Sequence, residues 1–156
     1  VLTSSTNWKV VYSKIDETAV AFCSGTPLTD TIPAATWTKV SNVFDSSLDQ
    51  QGWWSDANKR FTLPIGKYSI TGHIVASDIA DQSIFIAMVY KNGSQLGILG
   101  RTAQSGTGLL GTGGTLIAES NGNDYFEIYV FIGDAATVTS NSINGYCHFD
   151  VLMVSP

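Results

Sequence analysis

The sequence predicts a single all-β domain of the sandwich, jelly-roll or barrel type, and three observations carry this prediction. No stretch has the periodicity of an amphipathic helix, short runs rich in Val, Ile, Thr, Tyr and Phe recur along the chain, and turn residues separate those runs. About nine runs at this spacing are typical of antiparallel sandwiches and barrels. The 156 residues are enough for one domain with a sizeable core.

The first half of the chain supplies five predicted strands. One of them alternates so regularly that a single face collects the apolar side chains, which is the pattern of a half-buried strand. That predicted core face holds Tyr68, Ile70, Gly72, Ile74 and Ala76. The five predicted strands cover residues 18–23, 36–44, 60–63, 67–77 and 83–90.

The second half opens with the clearest turn in the sequence, because Asn92-Gly93 supplies the two positive φ angles of a type I′ hairpin. The return strand is predicted over 95–100. Residues 102–114 are rich in glycine and are predicted to form a long loop. Further strands are predicted over 115–119, 124–132 and 146–154.

The chain shows one domain boundary at most. The predicted jelly-roll or sandwich domain covers residues 18–156. Residues 1–17 are predicted to be an N-terminal arm or an additional edge strand, because the run 8–12 is apolar and short.

Charge and composition exclude several function classes. The formal net charge is −5, which argues against a nucleic-acid footprint and against docking on anionic lipid. No apolar run approaches the ~18 residues of a membrane span. Charged residues make up only 13% of the chain, against about 25% in a usual soluble domain. The surface is therefore either rich in neutral polar residues or partly hidden against a partner.

Two predicted strands are apolar on both faces, and this indicates assembly. In the strand over 124–132 the second face carries Tyr125, Tyr129 and Phe131, and in the strand over 83–90 we assign Phe85 and Val89 to the second face. One face fills the core, so the other must meet something else. We predict that these five residues contact sister subunits. The alternative is a central strand covered by loops of its own chain.

The order of motifs resembles the globular head of complement 1q, which belongs with the tumour necrosis factor superfamily. The most specific segment is RFTLPIGKYSI over 60–70, followed by the hairpin of 90–93 and the turn of 121–124. The resemblance spans about residues 18–156. It implies a jelly roll of about ten strands that forms compact homotrimers around an apolar axis.

The segment IPAATWTKVSNVFD over 32–45 is also similar to bacteriophage tail-fibre tips and capsid-decorating proteins. This resemblance implies a non-enzymatic virion protein, either a decoration (cement) protein or a receptor-binding fibre tip, located on the virion or outside cells. Its partners would be other virion proteins, or a glycan or protein of the host surface. The alternative is a secreted complement-type or carbohydrate-binding module, for which Asn92-Gly93-Ser94 would be a glycosylation sequon. The sequence does not choose between decoration protein and fibre tip.

Trp53 and Trp54 are the strongest candidates for ligand contact, because exposed aromatic side chains anchor partners and stack on sugars. Neighbouring residues of an extended chain point in opposite directions. We therefore expect one Trp to plug the end of the domain and the other to be exposed.

No catalytic or cofactor site is predicted. His73 and His148 lack a nucleophile signature, and the two His and two Cys have no zinc-finger spacing. The pattern Gly106-x-Gly108-x-x-Gly111 matches a dinucleotide-binding loop by letter, but no helix is predicted after it. We expect no cofactor.

Calcium is the one metal that the sequence leaves open. Asp45, Asp49 and Asp56 lie in one predicted loop region and supply the oxygen ligands that calcium takes. The spacing of an EF-hand is absent, so solvated surface carboxylates are the favoured interpretation.

The two cysteines are expected to lie near each other but on opposite faces. The first and last strands should be antiparallel neighbours, with Val20 and Phe22 facing inward and Cys23 outward. Phe149 faces inward in the last strand, which also places Cys147 inward. Opposite faces cannot be bridged without a bulge, so we predict free thiols.

Overall fold

The computed structural model describes residues 18–22, 29–44, 46–106, 108–139 and 147–156. These residues form thirteen β-strands, and none of them belongs to a helix that could cross a membrane. The strands are β1 (Thr18–Phe22), β2 (Thr29–Ile32), β3 (Thr38–Lys39), β4 (Ser46–Asp49), β5 (Trp54–Ser55), β6 (Arg60–Thr62), β7 (Ile65–Ile79), β8 (Ile84–Lys91), β9 (Ser94–Ala103), β10 (Gly108–Asn121), β11 (Tyr125–Ile132), β12 (Ala136–Thr139) and β13 (His148–Ser155).

Seven strands form the first sheet, in the order β2-β12-β7-β13-β1-β4, with β10 also paired to β7. The long strand β7 organises this sheet, because β10 and β13 pair with it antiparallel along much of its length. β1 and β13 are antiparallel neighbours, with Ala21 opposite Phe149. The expectation that the first and last strands of the domain pair is therefore confirmed.

Six strands form the second sheet, in the order β5-β6-β11-β8-β9, with β3 paired to β11 beside β6. The chain crosses between the sheets repeatedly: β7 lies in the first, the β8–β9 hairpin in the second, and β10 in the first again. Such crossings between two antiparallel sheets are typical of a jelly roll. The predicted all-β jelly roll is confirmed.

The core lies between the two sheets and is filled mainly by alternate residues of the strands. The side chains expected to face inward from the strand around Tyr68 are all buried, as are those of β11 that alternate with Tyr125. Each large apolar side chain buried there contributes roughly 1.5–3 kcal/mol. The largest completely buried residues are Tyr68, Phe44, Phe61, Phe85, Phe126, Phe149, Ile32, Leu63, Ile70, Ile74, Ile79 and Ile128.

The β8–β9 connection is the predicted type I′ hairpin. Asn92 and Gly93 have φ angles of 53° and 76°, and Lys91 lies directly opposite Ser94. Two positive φ angles match the twist of the flanking strands.

The prediction of a glycine-rich loop over 102–114 is wrong. β9 continues to Ala103, and β10 begins at Gly108. A Cβ added at Gly113 would lie 2.3 Å from the Gly72 carbonyl oxygen, and one added at Gly114 would lie 2.2 Å from that of Leu99. These glycines therefore let β10 approach β7 and β9 closely. The dinucleotide-like glycine pattern runs into this strand, and no helix follows it among the described residues.

The expected orientation of β1 is also wrong. Ala19 and Ala21 are completely buried, whereas Val20 and Phe22 lie on the outer face. The reason is the neighbouring strand, because Ala21 lies opposite Phe149, whose side chain is buried in the core, and directly opposite residues share one face of a sheet.

The structure removes one premise of the cysteine argument, the inward-facing Val20 and Phe22 of β1, and bears out the other. Cys147 is buried, as expected, and the Val75 amide donates a hydrogen bond to its Sγ at 3.4 Å. Cys23 and residues 1–17 lie outside the described residues. The free thiols and the N-terminal arm therefore stay predictions.

Candidate functional site

The outer face of the second sheet carries an aromatic cluster. The Tyr90 ring stacks on the Tyr129 ring, with centroids 3.9 Å apart. Trp37 packs over the same cluster, 5.5 Å from Phe131 and 6.2 Å from Tyr90. We call these four residues the aromatic face. Tyr129 and Phe131 do point outward as predicted, but both are already half-buried, because Trp37 of the same chain covers part of the cluster.

Two of the five predicted contact residues belong to the core. Phe85 and Val89 are completely buried in the single chain, so a sister subunit cannot contact them. Their position follows from the register, because Val89 lies opposite Ile128 and Phe85 lies opposite Ile132 on the inward face of β11. We assigned the wrong face of β8, which alternation alone could not distinguish from the right one.

Charged groups border the aromatic face. Lys39 Nζ lies 2.5 Å from Glu127 Oε1 and donates a second hydrogen bond to the Asn58 carbonyl oxygen at 2.6 Å. The Arg60 guanidinium lies over the Tyr125 ring, 4.2 Å from its centroid. Burial raises the pKa of the Tyr129 hydroxyl, and the charge of Glu127 adds to this rise. Tyr125 is thus half-buried beneath an arginine of its own chain.

The tandem tryptophans both pack against the core. Trp53 is buried edge-on against Tyr68, with ring centroids 5.6 Å apart. Trp54 is half-buried and contacts Phe61 at 4.9 Å and Phe44 at 6.0 Å. The expectation is therefore confirmed for the buried Trp53 and wrong for Trp54, which is half-buried because its ring packs on Phe44 and Phe61. Ligand contact through the remaining exposed edge of Trp54 stays a prediction.

The acidic residues considered for calcium have other partners. The Asp49 carboxylate accepts hydrogen bonds from the backbone amides of Gln51 and Trp54, at 3.2 and 2.5 Å. Asp56 forms an ion pair with Lys59, and the hydrogen bond from Lys59 is the largest influence lowering the pKa of Asp56. Asp45 lies outside the described residues. Within the described ranges, no three His, Cys, Asp or Glu side chains are grouped to hold a metal ion.

The outer face of the first sheet is a second candidate, and the sequence argument missed it. It includes a row in which Ser69 of β7 lies between Leu152 of β13 and Ile117 of β10. Leu152 and Ile117 are 43% and 58% exposed, and Leu48 at the β4 edge is 69% exposed. We call this surface the first-sheet face, and its residues are Val20, Phe22, Leu48, Ser69, Thr71, His73, Thr115, Ile117, His148, Asp150 and Leu152.

A polar cluster lies within the first-sheet face. His73 and His148 are direct cross-strand partners whose rings stack with centroids 5.7 Å apart. Asp150 follows on the same side of β13, and its Oδ2 lies 3.7 Å from His148 Nε2. Its other oxygen, Oδ1, is buried and has no hydrogen-bond partner among the residues that the structure describes. Gly111 makes room for the cluster, since a Cβ there would lie 3.0 Å from His73 Nε2.

Burial is the main influence on Asp150 and raises its pKa to about 6, whereas the charge of His148 acts in the opposite direction. A carboxyl group with this pKa changes charge in the same pH range as an ordinary histidine. The sequence did place His148 and Asp150 on one side of a strand. It gave no register between β7 and β13, and the register is what adds His73.

Two antiparallel sheets in this order, with one aromatic and one largely neutral outer face, define a jelly-roll head. No known family model matches the sequence, and no curated protein matches it. Among solved structures, the globular domain of a zebrafish complement 1qA protein superposes with a TM-score of 0.55 at 12% identity, covering 88% of this chain and 96% of that one. Eiger TNF from S. frugiperda superposes with a TM-score of 0.59 at 10% identity, covering 88% and 91%. The chain therefore has the complement 1q/TNF-like jelly-roll fold.

Proposed function

We propose that this chain is a non-enzymatic binding head that assembles as a homotrimer through the first-sheet face. The observation that carries the proposal is the row of exposed apolar side chains around Leu152 and Ile117 on a sheet face with few charges. Apolar exposure of this kind usually marks an interface, and the centre of an interface is depleted in charged residues. The similarity to complement 1q and TNF-like structures also supports a trimer.

The aromatic face is the competing surface for the subunit contact. Tyr125, Tyr129 and Phe131 were expected to fill this role, and aromatic side chains are enriched at interfaces. However, Trp37 already packs on this cluster. The first-sheet face carries exposed large aliphatic side chains on β4, β10 and β13. We therefore propose that the aromatic face points away from the sister subunits.

Sedimentation of paired variants tests this assignment. We expect the unmodified chain to sediment as a trimer and the double variant Ile117→Asp/Leu152→Asp to sediment as a single chain, because the new carboxylates would be desolvated by the sister subunit. Thr62→Asp is the control, since it adds a carboxylate at an exposed site on the other sheet. Circular dichroism checks that each variant is folded.

The competing variant is Tyr129→Asp/Phe131→Asp. Dissociation by this pair, with the Ile117/Leu152 pair remaining trimeric, would move the contact to the aromatic face. An unmodified chain that sediments alone at all concentrations from about 1 to 100 µM would refute the trimer itself.

We further propose that the trimer is part of a virion, either as a decoration protein or as a receptor-binding fibre tip. The motif order over 32–70 and the low charge support this proposal. A virion role predicts that the chain co-sediments with particles in a density gradient. The alternative, a secreted complement-type or carbohydrate-binding module, predicts recovery in the particle-free supernatant.

The candidate acid–base groups support a binding role over an enzymatic one. His148 and Asp150 are the described pair that most resembles part of a hydrolytic triad. Their direct cross-strand partners are Val20, Phe22, Thr71 and His73, so the described residues that lie opposite the pair supply neither a serine nor a cysteine nucleophile.

A further inference from the structure

We propose that the aromatic face binds a carboxylated sugar, with the sugar ring on Trp37 and Phe131 and the carboxylate paired with Arg101. This inference rests on the proposed function, because it requires the aromatic face to point away from the sister subunits. It names the class of ligand that such a binding head would take.

The first step is the position of Arg101 beside the aromatic face. Ile86 of β8 lies directly opposite Phe131 of β11 on one side and Arg101 of β9 on the other. Directly opposite residues share one face of a sheet, so all three side chains stand on the outer face of the second sheet. Arg101 is exposed and lies two strand spacings, about 10 Å, from Phe131. A long arginine side chain at this spacing can meet a group that is bound on Phe131.

The second step is the stacking surface itself. Trp37 lies 5.5 Å from Phe131 and 6.2 Å from Tyr90 between ring centroids, and Trp37 and Phe131 are both half-buried. Each of these two rings therefore keeps part of its surface in contact with water. A sugar ring presents C–H groups to an aromatic ring and its hydroxyl groups to water, so it can cover such a surface without losing its hydration.

The third step is the charge of Arg101. None of the ion pairs among the described residues includes it. The other charges that border the aromatic face are already engaged, because Lys39 pairs with Glu127 and the Arg60 guanidinium lies over the Tyr125 ring. The chain as a whole carries a net charge of −5 and repels anions elsewhere. Arg101 is thus a local point of charge complementarity for an anionic group.

The fourth step joins the two features in one ligand. A guanidinium binds a carboxylate through two parallel hydrogen bonds, which fixes the direction of the carboxylate as well as its charge. A carboxylated sugar carries an apolar ring face and a carboxylate on the same small molecule. A neutral sugar can use the rings but not Arg101. The signature of this site is therefore a preference for the carboxylated member of a matched pair of sugars.

The experiment compares three matched pairs of probes by saturation-transfer NMR and calorimetric titration. The pairs are sialyllactose with its methyl ester, tri-galacturonic acid with tri-galactose, and tri-glucuronic acid with tri-glucose. We expect at least one carboxylated probe to bind with a Kd on the order of 1 mM or tighter. It should bind about fivefold more tightly than its neutral match, which is the size expected for an exposed charge-assisted pair. This preference should shrink as salt is raised from about 0.05 to about 0.5 M.

Variants assign the preference to its residues. Arg101→Gln should weaken the carboxylated probe about fivefold and leave its neutral match unchanged, so that the preference disappears. Trp37→Ala should weaken both members of the pair. Lys67→Gln is the matched control, because it removes an exposed cation of the first sheet and should leave both affinities unchanged. Circular dichroism checks folding, and Trp37→Phe, which keeps an aromatic ring, replaces Trp37→Ala if that variant does not fold.

Three results would overturn the inference: no binding of any carboxylated probe, equal binding of both members of every pair, or a preference that Arg101→Gln retains. Sedimentation of the same samples reports separately on the trimer. A trimer without the sugar preference would overturn this inference alone. A preference shown by a chain that sediments alone would support the sugar site and refute the trimer.

Discussion

Asp124 offers the sharpest test of how the sandwich end is held together. This carboxylate is 2% exposed and lies before β11. Lys91 Nζ lies 2.8 Å from its Oδ2, the Asn121 amide donates to Oδ2 at 2.8 Å, and Asn92 Nδ2 donates to Oδ1 at 2.6 Å. Asn92 also accepts a hydrogen bond from the Tyr125 amide. One side chain therefore connects the β8–β9 hairpin to the β10–β11 turn.

The three contacts set the expected magnitude. Hydrogen bonds to a charged group contribute about 1.5–3 kcal/mol each, and a buried donor left without its partner adds to the loss. Lys91 is partly exposed and recovers water on truncation, so the three contributions do not add fully. We expect Asp124→Ala to lower the free energy of unfolding by about 3–4 kcal/mol. Asp124→Asn keeps the shape of the side chain but replaces one acceptor oxygen with a donor, and it should lower the free energy of unfolding by about 2 kcal/mol.

The pH dependence of Asp124 gives a second reading of the same network. Burial by itself raises the pKa of Asp124, but the hydrogen bond from Lys91 and those from Asn121 and Asn92 outweigh it and hold the pKa below its usual value. Because the pKa of Asp124 is lower in the folded chain than in the unfolded chain, its ionised form stabilises the fold at pH values above the ordinary carboxyl pKa. This stabilisation is lost as the pH falls through the lowered value.

Urea unfolding followed by tryptophan fluorescence measures these losses at one fixed protein concentration. Asp134→Ala is the control, because Asp134 is exposed and should change stability by less than about 0.5 kcal/mol. A loss below about 1 kcal/mol for Asp124→Ala would refute the argument that this carboxylate connects the two turns.

Two further predictions follow from β10 and from the first-sheet face. Gly113→Ala should lower the free energy of unfolding by more than about 2 kcal/mol, because its Cβ would meet the Gly72 carbonyl. Gly97→Ala is the control and should cost less than about 1 kcal/mol, because its Cβ meets only the movable Leu116 side chain. Equal losses in chemical denaturation would contradict this explanation of the glycines in β10. Asp150→Asn should raise the free energy of unfolding by about 1–2 kcal/mol at pH 8. Burial raises the pKa of Asp150 to about 6, so the ionised carboxylate weakens the fold above that pH, and this effect disappears below about pH 4. A gain that is the same at pH 4 and pH 8 would show that burial of this charge is not its cause.

Local patterning predicted the parts of the fold that depend on one strand at a time. The alternation of Tyr68 to Ala76 and the Asn92-Gly93 turn are local signals, and both match the structure. The inward face of β8 and of β1 could not be predicted in the same way, because both faces of these strands are apolar. Pairing with β11 and β13 decides between them, and that pairing joins residues far apart in the sequence.

The glycine-rich segment and the first-sheet face were missed for the same reason. Glycine favours a loop by its own conformational freedom. Here glycine is needed for the close packing of two strands, because Gly113 approaches Gly72 once β10 lies beside β7, and the sequence alone does not show that pairing. Likewise, His73 and His148 are 75 positions apart, and only the register of β7 with β13 makes them neighbours.

Hydroxyl-radical footprinting of the assembled protein tests most directly which sheet the sister subunits cover. We predict that Leu152, Ile117 and Leu48 are protected from oxidation in the assembled protein. In the Ile117→Asp/Leu152→Asp variant, Leu48 should become reactive, while Tyr129 should react equally in both proteins. Protection of Tyr129 and Phe131 together with full oxidation of Leu152 and Ile117 would contradict this prediction.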